Sequence, residues 1–212
     1  MIAIIPIWLT NYIKEPGGTE IFRRISKLWM QVFIFLIGCR LIIKGKENFI
    51  KGQNYIVVSN HNSYMDVPLT TPFIPGPNKT IAKAELAKVP LFGTIYKRGS
   101  ILVDRKSERS RKESFGKMKA VLGAGMHMCI YPEGTRNRTN EPLKSFHDGA
   151  FKLAIDTGKP IIPVLLFNTK KVLPGSSKPF YLWPAKMEMH FLPAVHVQPG
   201  DSVVSLRENI FQ

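Results

Sequence analysis

The stretch 55–68, YIVVSNHNSYMDVP, decides how this 212-residue chain is read. YIVVS has the length and β-branched make-up of a buried strand. Asn60, His61 and Asn62 then turn the chain out of the sheet, and a helix is predicted over 63–71. His61 and Asp66 stand five residues apart at this junction. Inside one regular helix they would lie about 140° apart around the axis and would not meet. They can meet if His61 lies in the turn and Asp66 in the first helical turn. The carboxylate would then hold one imidazole nitrogen, fix the tautomer and strengthen the other nitrogen as a base. A second reading competes, because Ser63-x-x-Asp66 is also a capping-box pattern in which Asp66 serves only the helix start. The spacing recurs at His196 and Asp201, across a Pro-Gly turn with no strand leading into a helix, so that pair is an internal control.

Outward from this stretch, short apolar runs alternate with helical stretches. Strands are predicted over 41–44, 55–59, 80–82, 100–103, 126–131, 161–166 and 187–192. Helices are predicted over 63–71, 85–95, 107–122 and 149–157. In the third of these, Phe115, Met118, Val121 and Leu122 fall on one face and Ser107 stands as the N-cap. The segments PFIPGPNK and LPGSSKPF are loops. Alternation of this kind predicts an α/β sheet covered by helices. No domain boundary falls after residue 45.

The formal net charge is +15, from 30 Lys and Arg against 15 Asp and Glu. The excess is concentrated over 105–140, with nine basic and three acidic residues. Such a balance is either a solvated surface or asks for an anionic partner: nucleic acid, a membrane surface or an acidic substrate. Zinc-finger spacing, an Arg/Gly tail and interleaved basic–aromatic motifs are all absent, which weakens nucleic acid. Cys39 and Cys129 lie in apolar runs and are expected as buried free thiols.

The opening MIAIIPIWLTNYI lacks the leader and cleavage site of a secretory signal and is too short to span a bilayer, which takes about 20 residues. After the turn signal KEPGG, an apolar run extends over 28–37. It reads as a buried core helix or as part of a hairpin dipping into one leaflet. Lys14, Arg23, Arg24 and Lys27 would then sit at the hairpin's mouth, and Trp8 and Trp29 at the headgroup boundary. Apolar residues on every face over 32–37 favour the membrane.

Further blocks supply charge at strand ends. CIYPEGTRNR (129–138) ends a strand and offers Glu133, Gly134, Thr135 and Arg136; the glycine permits a tight turn, and the arginine presents a planar fork to a phosphate. RGSILVDR (98–105) delivers Arg105, and IAKAEL delivers Lys83. Four such ends in one sheet suggest a common pocket for an anionic substrate. There is no G-x-S-x-G elbow and no cysteine in an activating setting, so the His–Asp pair is read as a base acting on a substrate hydroxyl or on water.

Together, NHNSYMD (an H-x4-D block), KAELAKVPLFG, RGSILVDR, YPEGTR and IIPVLL resemble, in order and over residues 40–195, the motifs of the glycerolipid acyltransferase family. The resemblance is specifically to the bacterial lysophosphatidate acyltransferases (PlsC type). That family usually has Phe where this chain has Leu102, which leaves Arg105 in place but bears on pocket shape. The resemblance implies a mixed, largely parallel α/β sheet flanked by helices, with an N-terminal membrane-docking helical hairpin. Residues 1–39 would form the hairpin and 40–212 the acyltransferase domain. It implies transfer of a fatty acyl group from acyl-CoA or acyl-carrier protein to the sn-2 hydroxyl of 1-acylglycerol 3-phosphate, giving phosphatidate, with no metal and no cofactor beyond that co-substrate. His61 would be the base and Asp66 its orienter. Lys83, Arg105 and Arg136 would bind the phosphate, with Gly134 and Thr135 beside them, and Glu133 would engage the glycerol or brace the bases. Free N–H groups at the start of the following helix would receive the oxyanion. Pro163 would shape the donor wall. The expected partners are lysophosphatidate, the acyl donor and an anionic membrane surface, with no nucleic acid. The expected place is the cytoplasmic face of the cell membrane, monotopic or single-pass. Open alternatives are another lysolipid or amino-acid-lipid acceptor, a thioesterase using water, and a basic membrane- or nucleic-acid-binding protein.

Overall fold

Apolar runs of four to seven residues become strands, and amphipathic stretches become the helices that cover them. The computed structural model describes residues 4–90, 92–175 and 181–211; Leu91 and part of the LPGSSKPF loop fall outside. In chain order the elements are α1 (Ile4–Leu9), α2 (Gly17–Leu36), β1 (Arg40–Lys44), β2 (Ile56–Ser59), α3 (Asp66–Phe73), β3 (Asn78–Lys83), α4 (Phe92–Gly99), β4 (Ser100–Val103) and α5 (Glu108–Gly123). β5 (His127–Ile130), α6 (Gly149–Thr157), β6 (Ile161–Phe167), α7 (Thr169–Val172), β7 (Lys186–Phe191) and α8 (Val203–Phe211) follow.

The seven strands form one mixed sheet in the order β1-β7-β6-β2-β5-β3-β4. Every neighbouring pair is parallel except β6–β7. β2, β5, β3 and β4 therefore run side by side in one direction, and their carboxyl ends share one edge of the sheet. β2 and β5 are buried throughout, as expected of central parallel strands covered on both faces. Their side chains alternate between two cores. Tyr55, Val57 and Cys129 point to the side covered by α2 and α3. Ile56, Val58, Met128 and Ile130 point to the side covered by α5, α6 and α8.

The predicted stripe of α5 is met: Met118, Val121 and Leu122 are buried, and the Ser107 hydroxyl caps the helix by accepting from Ser110 N–H at 3.2 Å. The predicted helix over 85–95 breaks instead into a 3-10 turn (Ala84–Lys88) and α4, with Val89 extended between them. Pro90 has no N–H to give and disfavours the helical conformation at the residue before it.

The N-terminal segment is a short helix, a turn and the long α2. Met30 and Ile34 of α2 are buried in the core beside the sheet. Leu28, Trp29, Val32, Phe35 and Leu36 are exposed. The run over 32–37 thus has one face packed on protein and another left open. Among the described residues no helix is long and apolar enough to cross a membrane. The basic mouth is partly neutralised, because Glu20 pairs with both Arg23 and Arg24. Cys129 is a buried free thiol as expected, while Cys39 is only half-buried.

Candidate active site

The site begins where β2 runs out. Asn60, the first residue beyond the strand, is buried; its amide donates to the Leu166 carbonyl at 3.0 Å and accepts from Leu166 N–H at 2.8 Å. The side chain extends the β2–β6 ladder by one step and fixes where the chain leaves the sheet. His61 follows with its Nδ1 2.8 Å from Asp66 Oδ2. The same oxygen accepts from Asn62 N–H and Ser63 N–H, both at 2.7 Å. Asp66 is fully buried, and its other oxygen has no partner among the described residues. One oxygen therefore closes the turn and holds the imidazole, so Asp66 does more than serve the helix start. The bond through Nδ1 leaves Nε2 as the nitrogen free to take a proton. Asp201, the control, instead turns its carboxylate to Gln198 N–H at 2.8 Å.

The loop after β5 is stitched to His61 on both sides. His61 N–H donates to Glu133 Oε1 at 2.7 Å, and Asn137 N–H donates to the His61 carbonyl at 2.6 Å. The other Glu133 oxygen accepts from Lys144 N–H at 3.1 Å, and burial pushes this carboxyl above its usual range. Both Glu133 oxygens thus serve the backbone and not the side chains of neighbouring bases. Gly134 sits at φ +69, and a Cβ there would come within 2.7 Å of the His147 ring, so only glycine fits the turn. Arg105 reaches across from the end of β4 and donates to the Gly134 carbonyl. Thr135 is exposed and accepts from Lys144 Nζ at 2.9 Å.

Arg136 returns towards the His61 turn, where its guanidinium carbon lies 3.8 Å from the centre of the Tyr64 ring. Its Nε is buried with no partner among the described residues. Lys83 stands exposed at the end of β3, in register with Val103 on the neighbouring strand. His61, Asp66, Glu133, Gly134 and Arg105 are therefore linked by direct contacts or chain adjacency, while Arg136 approaches the His61 turn through Tyr64. Thr135 joins them through Lys144, and Lys83 shares only their sheet edge. The expectation of free N–H groups at the helix start is not met at three positions: Asn62 and Ser63 N–H serve Asp66, and Met65 N–H serves the Ser63 hydroxyl.

A model of the family described as Acyltransferase matches residues 40–166. The chain belongs to the acyltransferase family. The span of this acyltransferase match contains every site residue named above and leaves α1 and α2 outside it. The chain is 31% identical over 180 residues to the 1-acyl-sn-glycerol-3-phosphate acyltransferase of Borreliella burgdorferi, covering 84% of this chain and 68% of that one. It is 32% identical over 145 residues to the human 1-acyl-sn-glycerol-3-phosphate acyltransferase alpha, covering 68% of this chain and 51% of that one. It thus spans about half the length of the human acyltransferase. The crystal structure of the 1-acyl-sn-glycerophosphate acyltransferase PlsC from Thermotoga maritima superposes with a TM-score of 0.79 at 24% identity, over 97% of this chain and 82% of that one. The acyltransferase fold is thereby matched, including the mixed, largely parallel sheet.

Sequence reasoning passed over Tyr64, Tyr131 and Lys144, and saw in Asn60 only a turn residue. Tyr131 packs its ring 4.5 Å from that of His61, and burial raises its phenol pKa well above the usual range. An asparagine directly after an apolar strand is a local signal that could have marked Asn60. No local signal joins Tyr64 to Arg136, because the fold alone brings them together.

Proposed function

We propose that this acyltransferase moves a fatty acyl group from an acyl thioester, either acyl-CoA or acyl-carrier protein, to the sn-2 hydroxyl of 1-acylglycerol 3-phosphate, giving phosphatidate. The observation that carries the reading is the 2.8 Å contact of His61 Nδ1 with the buried Asp66 carboxylate, at a sheet edge that also bears Arg105 and Arg136. The names of the Borreliella and human relatives supply the acceptor class. In this mechanism His61 Nε2 takes the hydroxyl proton as the oxygen attacks the thioester carbonyl. The tetrahedral adduct collapses, the C–S bond breaks, and the thiolate leaves with the proton returned from the imidazolium. Asp66 stabilises that imidazolium while it exists. General-base assistance of this kind contributes roughly 10²–10⁴-fold.

Lys83, Arg105 and Arg136 bind the acceptor phosphate, with Gly134 and Thr135 forming the turn beside it. The planar arginine suits a phosphate oxygen pair. Glu133 acts by tying the Arg136 loop to His61. The exposed apolar face of α2 rests in one leaflet at the cytoplasmic face of the membrane, where the lysolipid resides, as a monotopic attachment. The residues before β1 act as the docking hairpin, and those from 40 onward carry the chemistry.

The test is to incubate the purified chain with acyl-CoA and acyl-carrier donors and a panel of lysolipids, and to identify products by mass spectrometry. Phosphatidate formed from 1-acylglycerol 3-phosphate is the expected product, with Arg136→Ala raising the KM for this acceptor more than that for the donor. Acyl release that needs no lysolipid, or transfer only to another acceptor, would overturn the proposal.

A further inference from the structure

The chain has three tryptophans, at positions 8, 29 and 183. All three are about half exposed or more, at 49%, 52% and 67%. That is unusual, because tryptophan is on average among the more buried side chains. Trp8 and Trp29 belong to the N-terminal helices. Trp183 does not. It lies between β6 and β7, in the run Tyr181-Leu182-Trp183, all three residues of which are exposed.

This second segment is adjacent to the first. The Cys39 Sγ, just beyond α2, lies 3.8 Å from the Trp183 carbonyl and accepts from Ala185 N–H at 3.4 Å. A Cβ built on Gly38 would lie 3.7 Å from Pro184, and Arg40 N–H bonds to the Ala185 carbonyl at 3.3 Å. The chain that leaves α2 just after the exposed Phe35 and Leu36 thus runs beside the chain that follows Trp183, although about 150 positions separate them. Aromatic residues with a polar edge, flanking aliphatic ones, suit the boundary between headgroups and acyl chains.

We propose that Tyr181–Trp183 is a second membrane-contacting segment that extends the hairpin's apolar face into the catalytic body. The proposal rests on the membrane attachment stated above and adds a second point of contact. The segment is also tied to the site. Trp183 N–H donates to the Val172 carbonyl at 3.1 Å, and the Ser63 hydroxyl lies 2.5 Å from the next carbonyl, that of Leu173. Gly175 then passes so close that a Cβ would meet the Asn62 carbonyl at 2.6 Å and Arg136 Cδ at 3.1 Å. Contact of this segment with lipid therefore orients the wall beside His61 and Arg136 towards the bilayer.

The experiment uses the full chain carrying Trp8→Phe and Trp29→Phe, so that Trp183 alone fluoresces. Vesicles of equal phosphatidylglycerol and phosphatidylcholine are prepared with and without brominated acyl chains. A blue shift of Trp183 emission with bromine quenching is the expected result. In a companion variant, Leu182→Ser/Trp183→Ser, vesicle partitioning and turnover of vesicle-embedded lysolipid should fall about tenfold. Turnover of a short-chain lysolipid below its micelle concentration should hold. A chain that pellets with vesicles while Trp183 stays unshifted and unquenched overturns this inference and leaves the hairpin attachment standing. A chain that does not pellet at all overturns both.

Discussion

At the scale of the residue, one carboxylate oxygen organises the site. Asp66 Oδ2 accepts from His61, Asn62 and Ser63 at once, so the group that orients the base also builds the turn presenting it. This pairing was legible in the sequence because everything it needs lies within residues 55–66: a buried strand, a polar turn and a helix start. The cradle of Arg136 was not legible, since Tyr64 and Gly175 meet it only through the sheet order. Glu133 was legible as a strand-end acid, but its commitment to two backbone amides was not. His61→Ala should reduce transfer by roughly 10²–10⁴-fold while the chain still folds cooperatively, because the imidazole belongs to neither core cluster. Asp66→Asn should cost a comparable factor: its amide oxygen can keep the turn closed, but the charge facing the imidazolium is gone. Initial-rate assays paired with thermal unfolding check both variants, and an active His61→Ala would remove this residue as the base.

At the scale of the element, all seven predicted strands are present, and the central β2, β5 and β6 were the plainest because such strands are largely apolar runs. Helix boundaries were less legible. α3 starts at Asp66, three residues later than predicted, because the Asn62 and Ser63 N–H groups bond a side chain. α8 escaped notice because it is only nine residues long, although Val203, Leu206 and Ile210 line its packed face. β5 carries a separate liability. His127 is buried, with its Nδ1 accepting Tyr55 N–H at 3.0 Å, and burial pushes its pKa down from 6.5 to about 4. The unfolded chain therefore takes up this proton first as pH falls. The stability held by neutral His127 is complete above pH 6.5 and is lost between 6.5 and about 4, a change on the order of 3 kcal/mol. Urea midpoints at pH 7.5 and 4.5 should differ more for the wild type than for His127→Gln, whose amide can still accept the Tyr55 N–H without titrating. Equal pH dependence in the two proteins would assign the acid sensitivity to other groups.

At the scale of the whole molecule, α2 belongs to two environments. Met30 and Ile34 complete the core on one side of the sheet, while Phe35 and Leu36 are 79% and 73% exposed. The sequence showed only that the run was apolar all round; which face met protein was a property of the folded sheet. Deleting the first 38 residues would therefore open the core as well as remove the outer face. The cleaner change is Leu28→Gln/Phe35→Gln/Leu36→Gln, which leaves the packed face intact. It should release the chain from anionic vesicles in a pelleting assay and leave its urea midpoint within about 0.5 kcal/mol of wild type; undiminished pelleting would place the attachment elsewhere. The two thiols are sorted in a related way. Cys129 is sealed in β5, with its pKa pushed up to about 12, whereas half-buried Cys39 sits on the seam between α2 and the Trp183 segment. A thiol-directed fluorophore or nitroxide consequently has one accessible address in the native fold, and the unmodified chain already carries a tether point where its N-terminal helices join the body.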